Sequence, residues 1–160
     1  MSPASTVPDT PDFTERCRAL NPEYSFIVQA PAGSGKTGLL IQRYLTLLAC
    51  ANEPEEIVAI TFTRKAAAEM RERVVAALVK SGNAPDSANT PETPETGHQK
   101  LTRELAEVVL QRDRQTGWHI IENPTRLRIQ TLDSLCASLT RQMPMLSKFG
   151  AQPETVEDPS

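Results

Sequence analysis

The octapeptide Ala30-Pro-Ala-Gly-Ser-Gly-Lys-Thr37 constrains this chain more than any other stretch. Gly33 and Gly35 let the backbone curl so that successive N–H groups point inward at a single anion. Ahead of the loop, Ser25-Phe-Ile-Val-Gln29 reads as a short buried strand. Beyond it, Leu40, Tyr44, Leu47 and Leu48 recur at helical spacing, which predicts a helix from Lys36 to about Cys50. Strand, glycine loop and helix together form the context a phosphate-binding loop requires, with the positive end of the helix dipole facing the anion. Alanine stands in the first glycine position, as the looser form of the pattern admits. Nucleotide contacts are expected from Ala30, Pro31, Ala32, Gly33, Ser34, Gly35, Lys36, Thr37 and Gly38. Lys36 is expected to reach the β and γ phosphates and the Thr37 hydroxyl to ligate Mg²⁺. The competing reading is a glycine-rich turn that happens to contain Lys-Thr, which the flanking strand and helix disfavour. Gly38 is an odd choice inside a first helical turn, since glycine costs roughly 0.5–1 kcal/mol relative to alanine in a helix interior.

The rest of the chain alternates strand and helix. Ile57 to Phe62 reads as a second buried strand, and Thr63 can cap a helix that starts at Arg64 with Ala67, Met70, Val74 and Leu78 facing inward. Residues 81–97 hold three prolines and no apolar side chain larger than alanine, and read as a flexible loop. A third helix carries Leu101, Leu105, Val108 and Val109 and closes near Gly117. Leu127 to Thr131 is a third strand, and a last helix with Leu132, Leu135, Cys136 and Leu139 ends before Pro144. Strands that are apolar throughout and separated by helices indicate a parallel sheet covered on both faces. The expected class is α/β, a P-loop NTPase (RecA-like) fold with a partial parallel sheet flanked by helices. Residues 1–11 are expected to be a disordered lead.

Composition bounds the partners. With 160 residues, 39% of them hydrophobic, the chain can bury one core. Its apolar runs are too short for a bilayer, and Met1 to Glu15 holds neither a basic residue nor an apolar block, so a cytoplasmic protein without a membrane partner is expected. Cys17, Cys50 and Cys136 are odd in number and far apart, and with His98 and His119 they make neither a disulfide framework nor a zinc cluster. Cys136 reads as core, and both histidines read as ordinary. The net charge is −3, but six of the 20 acids lie in a leader and a tail that carry no bases. The remaining 14 face all 17 Lys and Arg, so residues 16–149 carry +3. That body tolerates a phosphate-rich partner.

Thr61-Phe-Thr-Arg64 sits at the C-terminal end of the second strand, where open α/β sheets bind ligands. Its hydroxyls and the following helix N-terminus can hold a phosphodiester. Phe62 can stack on a base for roughly 1–3 kcal/mol, or it can belong to the core.

Together these segments resemble superfamily 1A DNA helicases, the UvrD/Rep/PcrA group, and more closely RecB/AddA-like recombination helicases. Ala30 to Thr37 resembles motif I, Thr61 to Arg73 motif Ia, and Ile129 to Cys136 motif Ic, over about residues 15–150. The resemblance implies ATP and Mg²⁺ at Lys36 and Thr37. It implies single-stranded DNA at Thr61, Phe62, Thr63, Arg64, Thr131, Asp133 and Ser134, and 3′ to 5′ translocation in recombination or repair. It makes residues 12–150 the N-terminal part of a RecA-like ATP-binding domain and 151–160 the start of a continuation. It also implies partners in the remaining helicase domains and in a nuclease subunit or domain. Two positions depart from the family: Asp133 replaces a common histidine, and the adenine-reading glutamine is missing, Glu15 lying nearest its place.

Hydrolysis needs an acid on a neighbouring strand. Glu122 and Asp133 come nearest, and neither fits the pattern of four apolar residues before Asp-Glu. No arginine finger is assignable, and Arg126, Arg128 and Arg141 read as surface or packing residues. The isolated chain is therefore expected to bind nucleotide with little or no ATPase activity. Two further readings stand beside the motor: a truncated nucleotide- or partner-binding module, and a small P-loop kinase, which leaves Thr61 to Arg73 unexplained.

Overall fold

The computed structural model describes residues 11–29, 31, 33–82 and 96–142. It contains helix α1 (Pro11–Ala19), α2 (Lys36–Cys50), strand β1 (Val58–Thr61), α3 (Arg64–Gly82), α4 (Gly97–Thr116), β2 (Arg128–Thr131) and α5 (Leu132–Gln142). Single 3-10 turns at Pro54–Glu56 and Pro124–Arg126 lead into the two strands. β1 and β2 pair in parallel with Val58 opposite Arg128 and Thr61 opposite Thr131. The long connection through α3 and α4 follows from that parallel pairing, which no hairpin can make.

The core lies between α2, α3 and α4 and the strands. α2 contributes Ile41, Tyr44, Leu45 and Leu48, α3 contributes Ala67, Val74 and Leu78, and α4 contributes Ala106, Val109 and Leu110, while Ile129 closes it from β2. Burial pushes the Tyr44 hydroxyl well above its ordinary pKa. The helix ends are well specified. Thr96 and Gln99 form a capping box on α4, and Gly117 closes the helix in the left-handed conformation at φ 68°. Trp118 and Ile120, just beyond, turn back into the core. The indole Nε1 donates to the Asn52 carbonyl at 3.2 Å.

Several expectations need correction. Residues 25–29 are not a strand among the described residues: Ile27 is 98% exposed, and the segment has no ladder partner, without which extended backbone is not a strand. Among the described residues the sheet is not covered on both faces, since alternate residues of β1, Val58 and Ile60, are exposed while Ala59 and Thr61 are partly buried. The buried face of α2 keeps Tyr44 and Leu48 as expected but adds Leu39, Ile41 and Leu45, with Leu40 half exposed. Val108 on α4 is likewise exposed. α5 has no buried residue, so Cys136 is a surface thiol. The 81–97 loop is narrower than expected, because Ser81 and Gly82 complete α3 and Thr96 caps α4; residues 83–95 lie outside the described residues. So do residues 1–10 and 143–160. Pro11, placed in the lead, opens α1, where a first-turn proline is well accommodated.

Candidate nucleotide and nucleic-acid site

The loop lies directly ahead of α2. Gly33 and Gly35 have φ of 79° and 80°, the left-handed region that glycine alone enters without cost. Gly35 is the N-cap of α2, so Lys36 and Thr37 form its first turn and its backbone N–H groups face the loop. The Ser34 amide donates to the Pro31 carbonyl at 3.3 Å, closing the turn. The Lys36 ammonium reaches back to the same carbonyl at 2.9 Å. Thr37 is exposed, and the Ser34 hydroxyl is buried without a hydrogen-bond partner. Ala30 and Ala32 lie outside the described residues. Gly38 has a local reason: a Cβ there would stand 2.3 Å from Nε2 of His98, at the start of α4. His98 is held there by Gln42, whose buried amide lies 2.7 Å from Nδ1 and 3.1 Å from the His98 carbonyl. Partial burial, then the nearby Arg16 charge, lowers the His98 pKa.

A cleft of about 480 Å³ adjoins the loop. Lys36, Ser34 and Pro31 line it on one side, and Glu15, Arg16 and Ala19 of α1 on the other. Neither α1 nor Arg16 is signalled in the sequence as part of the site. The Arg16 guanidinium donates to the Ser34 carbonyl at 2.6 Å, across 18 residues that no local pattern connects.

The second cluster lies at the C-terminal ends of β1 and β2. Register places Thr61 beside Thr131, so Thr61, Phe62, Thr63 and Arg64 come together with Thr131, Asp133 and Ser134 at one sheet end. Phe62 is 99% exposed, which removes the core alternative. Arg64 and Asp133 are exposed. The hydroxyls are partly spent on local structure. Thr63 Oγ1 accepts from the Ala66 amide at 3.1 Å, and Thr61 Oγ1 donates to the Thr63 carbonyl at 3.0 Å. Thr131 Oγ1 accepts from the Ser134 amide at 3.2 Å and lies 2.8 Å from Ser134 Oγ. Both helices that leave the sheet are therefore capped by the residues expected to face DNA.

The acids considered for hydrolysis stand apart. Glu122 lies ahead of β2 in the chain, with its carboxylate 3.6 Å from His119. Asp133 belongs to the strand-end cluster. Arg126 binds Glu55 at 2.6 Å, Glu53 at 2.8 Å and the Trp118 carbonyl at 3.0 Å, so it is a packing residue. Among the described residues no group of His, Cys, Asp and Glu is placed to hold a metal ion. No helix there is long and apolar enough to cross a membrane.

A family model described as the UvrD/REP helicase N-terminal domain matches residues 13–157, nearly the whole chain. The chain belongs to that family. Curated relatives agree over shorter stretches. The chain is 42% identical over 72 residues to an ATP-dependent helicase/nuclease subunit of Lactobacillus helveticus, covering 44% of this chain and 6% of the relative. It is 48% identical over 67 residues to DNA helicase II of Haemophilus influenzae, covering 41% and 9%. For DNA helicase II of Escherichia coli the figures are 50% over 54 residues, 33% and 8%. The chain thus spans less than a tenth of the length of these relatives. No solved structure matches it.

Proposed function

We propose that this chain carries the nucleotide-binding and DNA-facing elements of an ATP-dependent DNA helicase or translocase of 3′ to 5′ polarity, working in recombination or repair. The observation that carries the reading is the pairing of two features in a UvrD/REP family member. One is a positive-φ glycine loop at the head of α2, and the other is a basic, aromatic strand end at Thr61 to Arg64. In this reading the described residues belong to a RecA-like P-loop domain spanning 12–150. ATP and Mg²⁺ are its cofactors, and single-stranded DNA is its polymer partner. The remaining helicase domains complete the motor, and a nuclease subunit or domain accompanies it, as the name of the Lactobacillus relative suggests. Its place of work is the cytoplasm.

The donor set suits a polyphosphate. The loop amides of Gly33, Gly35, Lys36 and Thr37, the N-terminus of α2 and the Lys36 ammonium offer positive charge, and the exposed Thr37 hydroxyl is available to Mg²⁺. To serve phosphate, Lys36 exchanges the Pro31 carbonyl for a phosphate oxygen, trading a neutral acceptor for a charged one. The strand end supplies Phe62 for stacking on a base and Arg64 for the backbone phosphate. Asp133, an acid beside them, opposes phosphate contact at that position. Of the acids weighed for hydrolysis, Glu122 pairs with His119 and Asp133 belongs to the strand-end cluster, so the chain by itself is expected to bind rather than turn over ATP.

Titration with a fluorescent ATP analogue and with a fluorescent oligo-dT tests both halves. Lys36→Ala should abolish nucleotide binding, and Phe62→Ala should weaken the oligonucleotide roughly 5- to 100-fold while sparing nucleotide. Nucleotide affinity that ignores Lys36 contradicts the loop assignment; oligonucleotide affinity that ignores Phe62 contradicts the strand-end assignment.

A further inference from the structure

We infer that Arg16 is a positioning residue of the phosphate loop, and that it brings a second positive charge, from a different helix, to the polyphosphate site. The inference rests on the nucleotide reading above and goes beyond the loop's own residues. Its guanidinium donates to the Ser34 carbonyl at 2.6 Å, and both of its terminal nitrogens lie 3.4–3.5 Å from where a Cβ on Gly35 would be. In a planar trans peptide the carbonyl and the following N–H point in opposite directions. A cation that grips the Ser34 carbonyl therefore turns the Gly35 N–H away from itself. The same peptide then has its dipole fixed, with the amide available as an anion donor. Gly35 itself is at φ 80°, a conformation that leaves the Ser34–Gly35 peptide easily reoriented unless something holds it.

The helix that carries Arg16 is anchored, so the contact is built into the fold. Arg43 of α2 donates to the Ala19 carbonyl at 2.6 Å, the Asn21 carbonyl at 3.1 Å and the Tyr24 carbonyl at 2.8 Å, capping the C-terminal end of α1 and the turn beyond it. Ala19 and Leu20 bury against Leu39, and Phe26 lies under the Arg43 guanidinium at 5.3 Å. α1 is thus bound to the helix that begins at the loop, and Arg16 is held about a turn back from that anchor, facing the 480 Å³ cleft that Lys36 also lines. Electrostatically, Lys36 holds the Pro31 carbonyl and Arg16 the Ser34 carbonyl, so two cations flank one short loop. An anion held on the Gly35 N–H lies across that peptide from Arg16 and feels its charge through the loop rather than by direct contact.

The test uses the 160-residue chain with a fluorescent ATP analogue and, separately, inorganic tripolyphosphate, comparing wild type with Lys36→Ala, Arg16→Gln and Arg16→Lys. Glutamine removes the charge and is too short to reach the Ser34 carbonyl from the same backbone position; lysine keeps the charge and most of the reach and loses the fork. The inference predicts that Arg16→Gln weakens both ligands by about tenfold, with a shallower salt dependence of tripolyphosphate binding. Arg16→Lys should recover most of that loss, and the ligand-free melting temperature should stay within about 3 °C of wild type. Wild-type affinity and salt dependence in Arg16→Gln, with Lys36→Ala still defective, overturn the Arg16 inference alone. A loss of binding matched by a large drop in melting temperature also overturns it, leaving Arg16 a folding contact. Binding that is absent in wild type, or indifferent to Lys36→Ala, overturns the nucleotide reading itself.

Discussion

Gly38 shows how one residue's identity is set by a distant neighbour in the chain. Its cost in helix propensity is tolerated because His98 occupies the space of a Cβ. Gly38→Ala is expected to displace His98 from Gln42 and destabilise the fold by about 1 kcal/mol, since the lost contact to a fully buried amide outweighs the propensity gain near a helix end. Urea unfolding of Gly38→Ala, His98→Ala and the double variant checks this. The double variant should be more stable than the two single losses add up to, and strict additivity would contradict the contact. His98 also carries a pH signature. Its folded pKa lies below the ordinary 6.5, so the unfolded chain binds the extra proton first. The contribution of neutral His98 is complete above pH 6.5 and fades as pH falls below it, and His98→Gln should flatten that slope. Sequence had no access to this pair: Gly38 was legible as an anomaly, His98 as an ordinary histidine, and only the packing of α4 on α2 joins them.

At the scale of elements, legibility followed amphipathic period and capping chemistry. α2, α3 and α4 were readable because long helices repeat their apolar positions and because Thr63 and Gly117 mark ends. Which face was buried was less readable on α2, where Leu39, Leu40, Ile41, Leu45, Leu47 and Leu48 offer more than one stripe. Residues 25–29 show the opposite failure: an apolar run announces a strand, but a strand needs a neighbour, and the run cannot name one. α1 lacked any strong pattern, and its role arises from contacts with α2. Leu48, fully buried near the C-terminal end of α2, should cost about 2–5 kcal/mol when truncated to alanine, read by chemical denaturation. The turn ahead of β1 makes a pH prediction. The hydrogen bond from Arg126, with its nearby charge, holds the Glu55 carboxyl below its ordinary 4.5. The stability this gives is present above about pH 4.5 and is lost as pH falls through the lower folded value. Because the pair is partly exposed the effect is small, and Arg126→Met should flatten the acid limb of the stability curve below that pH.

Over the whole molecule, stability and function separate. The α2–α3–α4 packing supplies the core, whereas the loop, the strand ends and α5 lie outside it. Amide exchange should therefore be slowest at Leu45, Leu48, Val74 and Val109 and fastest along residues 25–29 and α5, and equal protection throughout would contradict this division. The motif spacing carried the family assignment, while the geometry that ties α1 to the loop had to come from the fold. The central claim is that the loop from Gly33 to Gly38 binds the polyphosphate of a nucleotide. Amide shifts of the ¹⁵N-labelled chain, recorded through a titration with Mg-ATP, test it most directly. Saturable shifts are expected at Gly33, Gly35, Lys36, Thr37 and Gly38, vanishing in Lys36→Ala, with α5 unmoved. A loop whose amides stay still while the nucleotide is added, or shifts that persist without the lysine, would contradict it.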